Sequence, residues 1–131
     1  MRFEPPVSET SAAFWRATRD RRFVLPWCPV CSRSHWFPRE VCPFCLAPAL
    51  EWRESLGNGE VYACSVMPKP GLPQMADLVP YVVALISLDE GVRMMSNVLA
   101  EDPYAVAVGD RVRLDWEPLS DGRHLPVFRP S

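Results

Sequence analysis

The sequence predicts a mainly β protein in which an N-terminal helix and a zinc ribbon precede a five-stranded barrel of the OB type. Three observations carry this reading. Four of the five cysteines fall in two Cys-Pro-x-Cys pairs, "WCPVC" and "VCPFC", ten residues apart. Five short runs rich in Val, Leu and aromatics follow, each bounded by a turn signal, which is the grammar of a small closed barrel. Ahead of the cysteines lies a run of good helix formers opened by Ser and Thr. At 131 residues and 48% hydrophobic, the chain suits one compact domain or two very small ones. Residues 1–50 are expected to hold the helix and ribbon, and residues 51–131 the barrel.

Within residues 8–22, "SETSAAFWRATRDRR", the Ser and Thr offer N-caps, and Phe14, Trp15 and Thr18 fall on one side of a helix. A helix this short is marginal alone, so that face is expected to pack on the rest of the protein.

Cys28, Cys31, Cys42 and Cys45 then form CxxC-x10-CxxC. Two residues between cysteines let a tight turn aim both sulfurs at one point, and two such turns supply the corners of a tetrahedral thiolate site. Paired disulfides would need an oxidising compartment, and two redox motifs would need a βαβ setting that is missing. Zinc is favoured over iron because Ser32 and Leu46, not glycines, follow the knuckles; iron in the same thiolates stays open. Four protein ligands leave no free position, so the metal is expected to be structural. His35 and His124 stand apart from any patterned nucleophile, and Cys64 reads as a small buried residue within a strand. With no phosphate loop, carboxylate pair or triad spacing, no catalytic residue is assigned, and no cofactor-binding residue beyond the metal ligands.

The strand candidates are residues 59–67, 81–88, 92–99, 111–116 and 124–129, separated by "DEG", "VGD" and "SDG" and preceded by "GNG". "RVRLDW" alternates, with Val112, Leu114 and Trp116 on one face, whereas "YVVALISL" is apolar on both faces and should be central and covered. Between the first two candidates, residues 68–80 carry four prolines and read as a long loop. Its Leu72, Met75 and Leu78 suit a partner interface; a loop folded back on its own barrel is the competing reading.

Charge narrows the partners. Residues 1–50 carry seven Arg against four acids, and residues 51–131 seven Lys and Arg against twelve acids, giving +3 and −5. Four thiolates around a divalent cation would nearly neutralise the first part, so neither part offers a surface for a phosphate backbone. The N-terminus lacks a basic start and apolar run, and no stretch approaches the ~20 apolar residues of a membrane helix. A cytoplasmic protein is expected, with no membrane and no nucleic acid among its partners.

The order of parts from Phe14 to Pro130 resembles a known family. Helix, ribbon, "GNGEVY", "PYVVALISLDEG", "SN" and "LPVFRP" follow the order found in the OB-fold proteins with a rubredoxin-like zinc ribbon, known as domain of unknown function thirty-five. The resemblance implies an auxiliary subunit that complexes with a thiolase-superfamily acyltransferase, a steroid side-chain aldolase or a hotdog-fold hydratase and helps shape the path of an acyl-CoA. It also implies that the chemistry belongs to the larger partner. A single-stranded nucleic-acid-binding OB protein and a small independent acyl-CoA hydrolase or hydratase are the alternatives; the acidic barrel argues against the first and the missing catalytic constellation against the second.

Overall fold

The computed structural model describes residues 4–48 and 50–131. The chain runs through α1 (Ala12–Arg19), β1 (Val24–Cys28), β2 (Arg33–Ser34), β3 (Glu51–Glu54), β4 (Asn58–Met67), a 3-10 helix (Pro73–Leu78), β5 (Tyr81–Leu88), β6 (Arg93–Val98), β7 (Arg111–Pro118) and β8 (His124–Pro130). A shorter 3-10 turn, Pro103–Ala105, lies between β6 and β7. None of the described helices is long and apolar enough to cross a membrane.

The five expected strands close into a barrel of order β4-β5-β6-β8-β7. Neighbours are antiparallel except β6 and β8, which meet in parallel at Val98 and Phe128. Its interior draws on alternate residues: Val82, Ala84, Ile86 and Leu88 of β5 are buried, with Val61, Val112 and Phe128. Burial by this set is the main force closing the barrel. Gly59 marks where two backbones meet, since a Cβ there would fall 2.5 Å from the carbonyl oxygen of Ser87. One expectation changes: β5 is not covered equally on both faces but alternates buried and half-buried, because a barrel strand has an outside. Its outer residues Tyr81 and Val83 face a groove described below.

A separate three-stranded sheet, β2-β1-β3, belongs to the ribbon. Its central strand contains Pro26, paired with Trp52 across β3, and β3 is exposed along its length. β1 is nonetheless apolar and mostly buried, and its Val24 and Leu25 belong to the same hydrophobic cluster as the barrel interior. At the exposed edge of the sheet Arg53 lies over Trp27 at 4.1 Å, and Arg22 pairs with Glu54 at 2.7 Å.

Helix α1 buries Phe14, Trp15 and Thr18, the expected face. Ser11 takes the N-cap position, but its hydroxyl bonds the Ser8 hydroxyl at 2.9 Å instead of capping the helix amides. Phe14 is the hub of an aromatic seam, with ring centres 4.8 Å from Trp36, 5.0 Å from Trp15 and 6.4 Å from Phe23. Phe23 in turn meets Trp116 of β7 at 6.3 Å. Edge-on packing of this kind adds to simple area burial, and here it joins helix, ribbon and barrel. A strap at the N-terminus closes the same side. The Glu4 carboxylate accepts from the amide and hydroxyl of Ser120 (3.0 and 2.8 Å), and buried Arg123 donates to the carbonyl of Pro5 (2.8 Å) and to Asp121 (2.7 Å).

Residues 68–80 form a loop, as expected, but it folds back on its own chain. The 3-10 helix turns Met75 inward until it is 8% exposed, while Leu72 stays exposed. Leu78 is turned to a different, smaller cavity beside Tyr81 and Asn97. Leu72 and Met75 both line the groove described below, whereas Leu78 does not.

Candidate functional site

The two cysteine knuckles are near copies in backbone as well as sequence. In each, the residue after the second cysteine adopts a left-handed conformation, φ 57° at Ser32 and 64° at Leu46. Each then returns its amide to the carbonyl of the first cysteine, Ser32 to Cys28 at 2.8 Å and Leu46 to Cys42 at 2.9 Å. Closing the turn this way swings both sulfurs to the same side. The four Sγ atoms lie within 4.8 Å of one another, with Cys28–Cys45 at 3.5 Å and Cys31–Cys42 at 3.7 Å. Disulfide sulfurs would sit at about 2.05 Å. The edge of a tetrahedron with metal–sulfur bonds of about 2.3 Å is roughly 3.8 Å, so donor type and spacing both fit zinc. The first cysteine of each knuckle is buried; Cys31 is half-buried and Cys45 exposed, which turns one side of the cluster toward solvent.

The thiols differ in their surroundings. Burial and contacts with the other cysteines push Cys31 up to about 12. At Cys42 burial works against ionisation, but the amides of Cys45 and Phe44 aimed at its sulfur win and bring it down to about 7. Phe44 donates to that sulfur at 3.4 Å. Local amide dipoles thus already favour a thiolate at one corner.

The other singled-out residues lie elsewhere. His124 donates from Nδ1 to the carbonyl of Thr18 (2.8 Å), tying β8 to α1. The Cys64 sulfur is half-buried, 3.7 Å from the carbonyl of Val106. His35 is buried, and neither ring nitrogen has a partner among the described residues; burial first, then the charge of Arg39, holds it below its ordinary range. None of the three joins the sulfur cluster.

A second feature went unnoticed in the sequence. Where ribbon, α1, the 3-10 helix and the barrel meet, a groove of about 650 Å³ opens, walled by Phe14, Trp36, Phe37, Met75, Met94 and Leu125. A volume of this size is typical of small-molecule sites, which span about 300–1,000 Å³. The signal was the pair Trp36-Phe37 in an otherwise polar inter-knuckle segment, where Phe37 remains 52% exposed. Arg39 and Arg93 stand at the edge, and Arg93 lies over Tyr62 at 3.7 Å.

Comparison with known proteins supports the zinc ribbon and the OB barrel. Residues 15–51 match the rubredoxin-like zinc ribbon domain of ChsH2, and residues 52–117 match its C-terminal OB-fold domain. A probable enoyl-CoA hydratase alpha subunit of Thermomonospora curvata is 34% identical over all of this chain, which spans 40% of that subunit's length. A DUF35 domain-containing scaffold protein of Methanothermobacter thermautotrophicus is 33% identical over 95 residues, 72% of this chain and 71% of the scaffold. Among solved structures, a chain of the Ltp2-ChsH2(DUF35) aldolase superposes with a TM-score of 0.86 at 34% identity, covering 97% of this chain and 98% of that one. Ribbon, barrel and relatives together show that the chain belongs to the DUF35 family, with the zinc-ribbon and OB-fold domains of ChsH2.

Proposed function

We propose that this chain is a noncatalytic auxiliary subunit that docks on a thiolase-superfamily enzyme, an acyltransferase or a steroid side-chain aldolase, and helps shape acyl-CoA binding there. The observation that carries the reading is the apolar groove between ribbon and barrel, set in a chain whose relatives include a hydratase subunit, a scaffold protein and an aldolase component. The chain works as two joined units, residues 1–50 and residues 51–131, with β3 binding the second back onto the first through β1. Cys28, Cys31, Cys42 and Cys45 hold one zinc ion, which supplies rigidity rather than chemistry, since four thiolates close its coordination. A reducing, cytoplasmic setting suits free thiols so close together. The acidic barrel part, at −5, opposes a nucleic-acid role.

The test is co-expression with a thiolase-superfamily enzyme encoded beside this chain. Stable copurification, and an activity on acyl-CoA that depends on this chain, is the expected result. Turnover of an acyl-CoA by this chain alone, at the rate of the pair, would overturn the noncatalytic role.

A further inference from the structure

The groove does not end at its apolar wall. A second cleft, of about 540 Å³, shares Trp36, Arg39 and Arg93 with it, so the two run together at that corner. The second cleft is more polar, with Ser34, His35 and Ser87 in its lining. The two arginines come from different parts of the fold, Arg39 from the inter-knuckle segment and Arg93 from β6. Neither pairs with a carboxylate among the described residues. Arg22, Arg53, Arg111, Arg123 and Arg129 do; of the described arginines without such a partner, Arg39 and Arg93 are the two that line both cavities. Arg93 is also held in place before anything binds, its guanidinium face on Tyr62 and its Nε 3.4 Å from the Ser87 hydroxyl. That arrangement leaves its terminal nitrogens without a hydrogen bond to any described residue.

We infer that groove and cleft form one site for an amphipathic anion, with an extended apolar tail along Phe14, Trp36, Met75 and Met94 and an oxyanion head, carboxylate or phosphate, between Arg39 and Arg93. The tail assignment rests on the acyl-CoA role proposed above; the head assignment is carried by the two unpaired arginines. Methionines suit such a wall because their flexible thioethers adapt to different apolar shapes. A guanidinium fork suits the head because it can donate two parallel bonds to one oxyanion. Divided across ribbon and barrel, the arginines would fix which end of the molecule points where.

The test is a tryptophan-fluorescence titration of the metal-loaded chain with dodecanoate, dodecanoyl-CoA, CoA and dodecanol. Dodecanoate is expected to bind about tenfold or more tightly than dodecanol, since a hydrogen bond to a charged group outweighs a neutral one. The double variant Arg39→Gln/Arg93→Gln should lose that preference and leave dodecanol binding unchanged. Whichever of dodecanoate and dodecanoyl-CoA is weakened more by the double change identifies the head as carboxylate or phosphate. Equal affinity for dodecanoate and dodecanol, or an unaltered preference in the double variant, would overturn the head site. CoA binding as tightly as dodecanoyl-CoA would overturn the tail assignment. Copurification with the thiolase-type partner is read separately: its failure counts against the partner role, while anion preference in the titration still supports this site.

Discussion

Ser32 and Leu46 show how one residue can carry information that its identity alone does not disclose. In the sequence they were notable for not being glycine, a feature that favoured zinc over iron. In the structure they sit where a left-handed backbone closes each knuckle, at φ 57° and 64°. An L-residue pays about 1–2 kcal/mol there, and a glycine avoids that cost while losing about 0.5–1 kcal/mol through its freer unfolded chain. Leu46, 72% exposed, has little packing to lose. Leu46→Gly is therefore expected to stabilise the metal-loaded protein by about 0.5–1 kcal/mol, as read from denaturant melts; a loss of stability would show that the leucine side chain holds the knuckle in some other way. The clustering of the four cysteines was legible because it is local, with two residues fixing each turn. The role of Arg123 was not, because its partner Pro5 lies 118 positions away and no periodicity records that contact.

Among the elements, the barrel strands could be read from the sequence and the ribbon strands could not. A barrel strand has to bury alternate side chains, and that requirement writes itself into the sequence as Val, Leu and Ile at every second place. The ribbon sheet has β3 wholly exposed, and β1 is mostly buried without alternation and is interrupted by Pro26, so neither strand shows the period-two pattern that marks the barrel strands. This division predicts how the protein fails. The sulfur of Cys28 is fully buried and belongs to the strand at the centre of the ribbon sheet. Structural zinc contributes about 10–16 kcal/mol of apparent binding free energy in small ribbons, more than their apolar burial can replace. Cys28→Ser is expected to abolish stoichiometric metal binding and to release the β1 and β2 amides to rapid hydrogen exchange, while β4–β8 stay protected if the protein remains soluble. Retention of one tightly held metal per chain, measured by elemental analysis of the variant, would exclude Cys28 as a ligand.

At the scale of the whole molecule the question is what keeps ribbon and barrel in one piece. Beside the aliphatic contacts of Val24 and Leu25, the aromatic seam centred on Phe14 joins them; Phe14 is 2% exposed and touches Trp15, Phe23 and Trp36. Phe23 carries the seam on to Trp116 of the barrel. The same Phe14 also walls the groove, so the groove exists only while the two halves are docked. Its burial could be anticipated from the helical spacing of Phe14, Trp15 and Thr18; its contacts with Phe23 and Trp36 could not, because both rings reach it from outside the helix. Phe14→Ala should cost about 3–5 kcal/mol, the usual range for truncating a buried phenylalanine. The loss should fall on the docking and not on the metal, because none of the four cysteines belongs to the seam. The expected variant keeps one metal per chain, melts at a lower temperature and binds dodecanoate more weakly than the parent. Calorimetry and elemental analysis on the same preparation decide the matter. Loss of metal together with stability would mean that ribbon and barrel fold as a single cooperative unit, and unchanged melting would mean that contacts outside the seam hold them together.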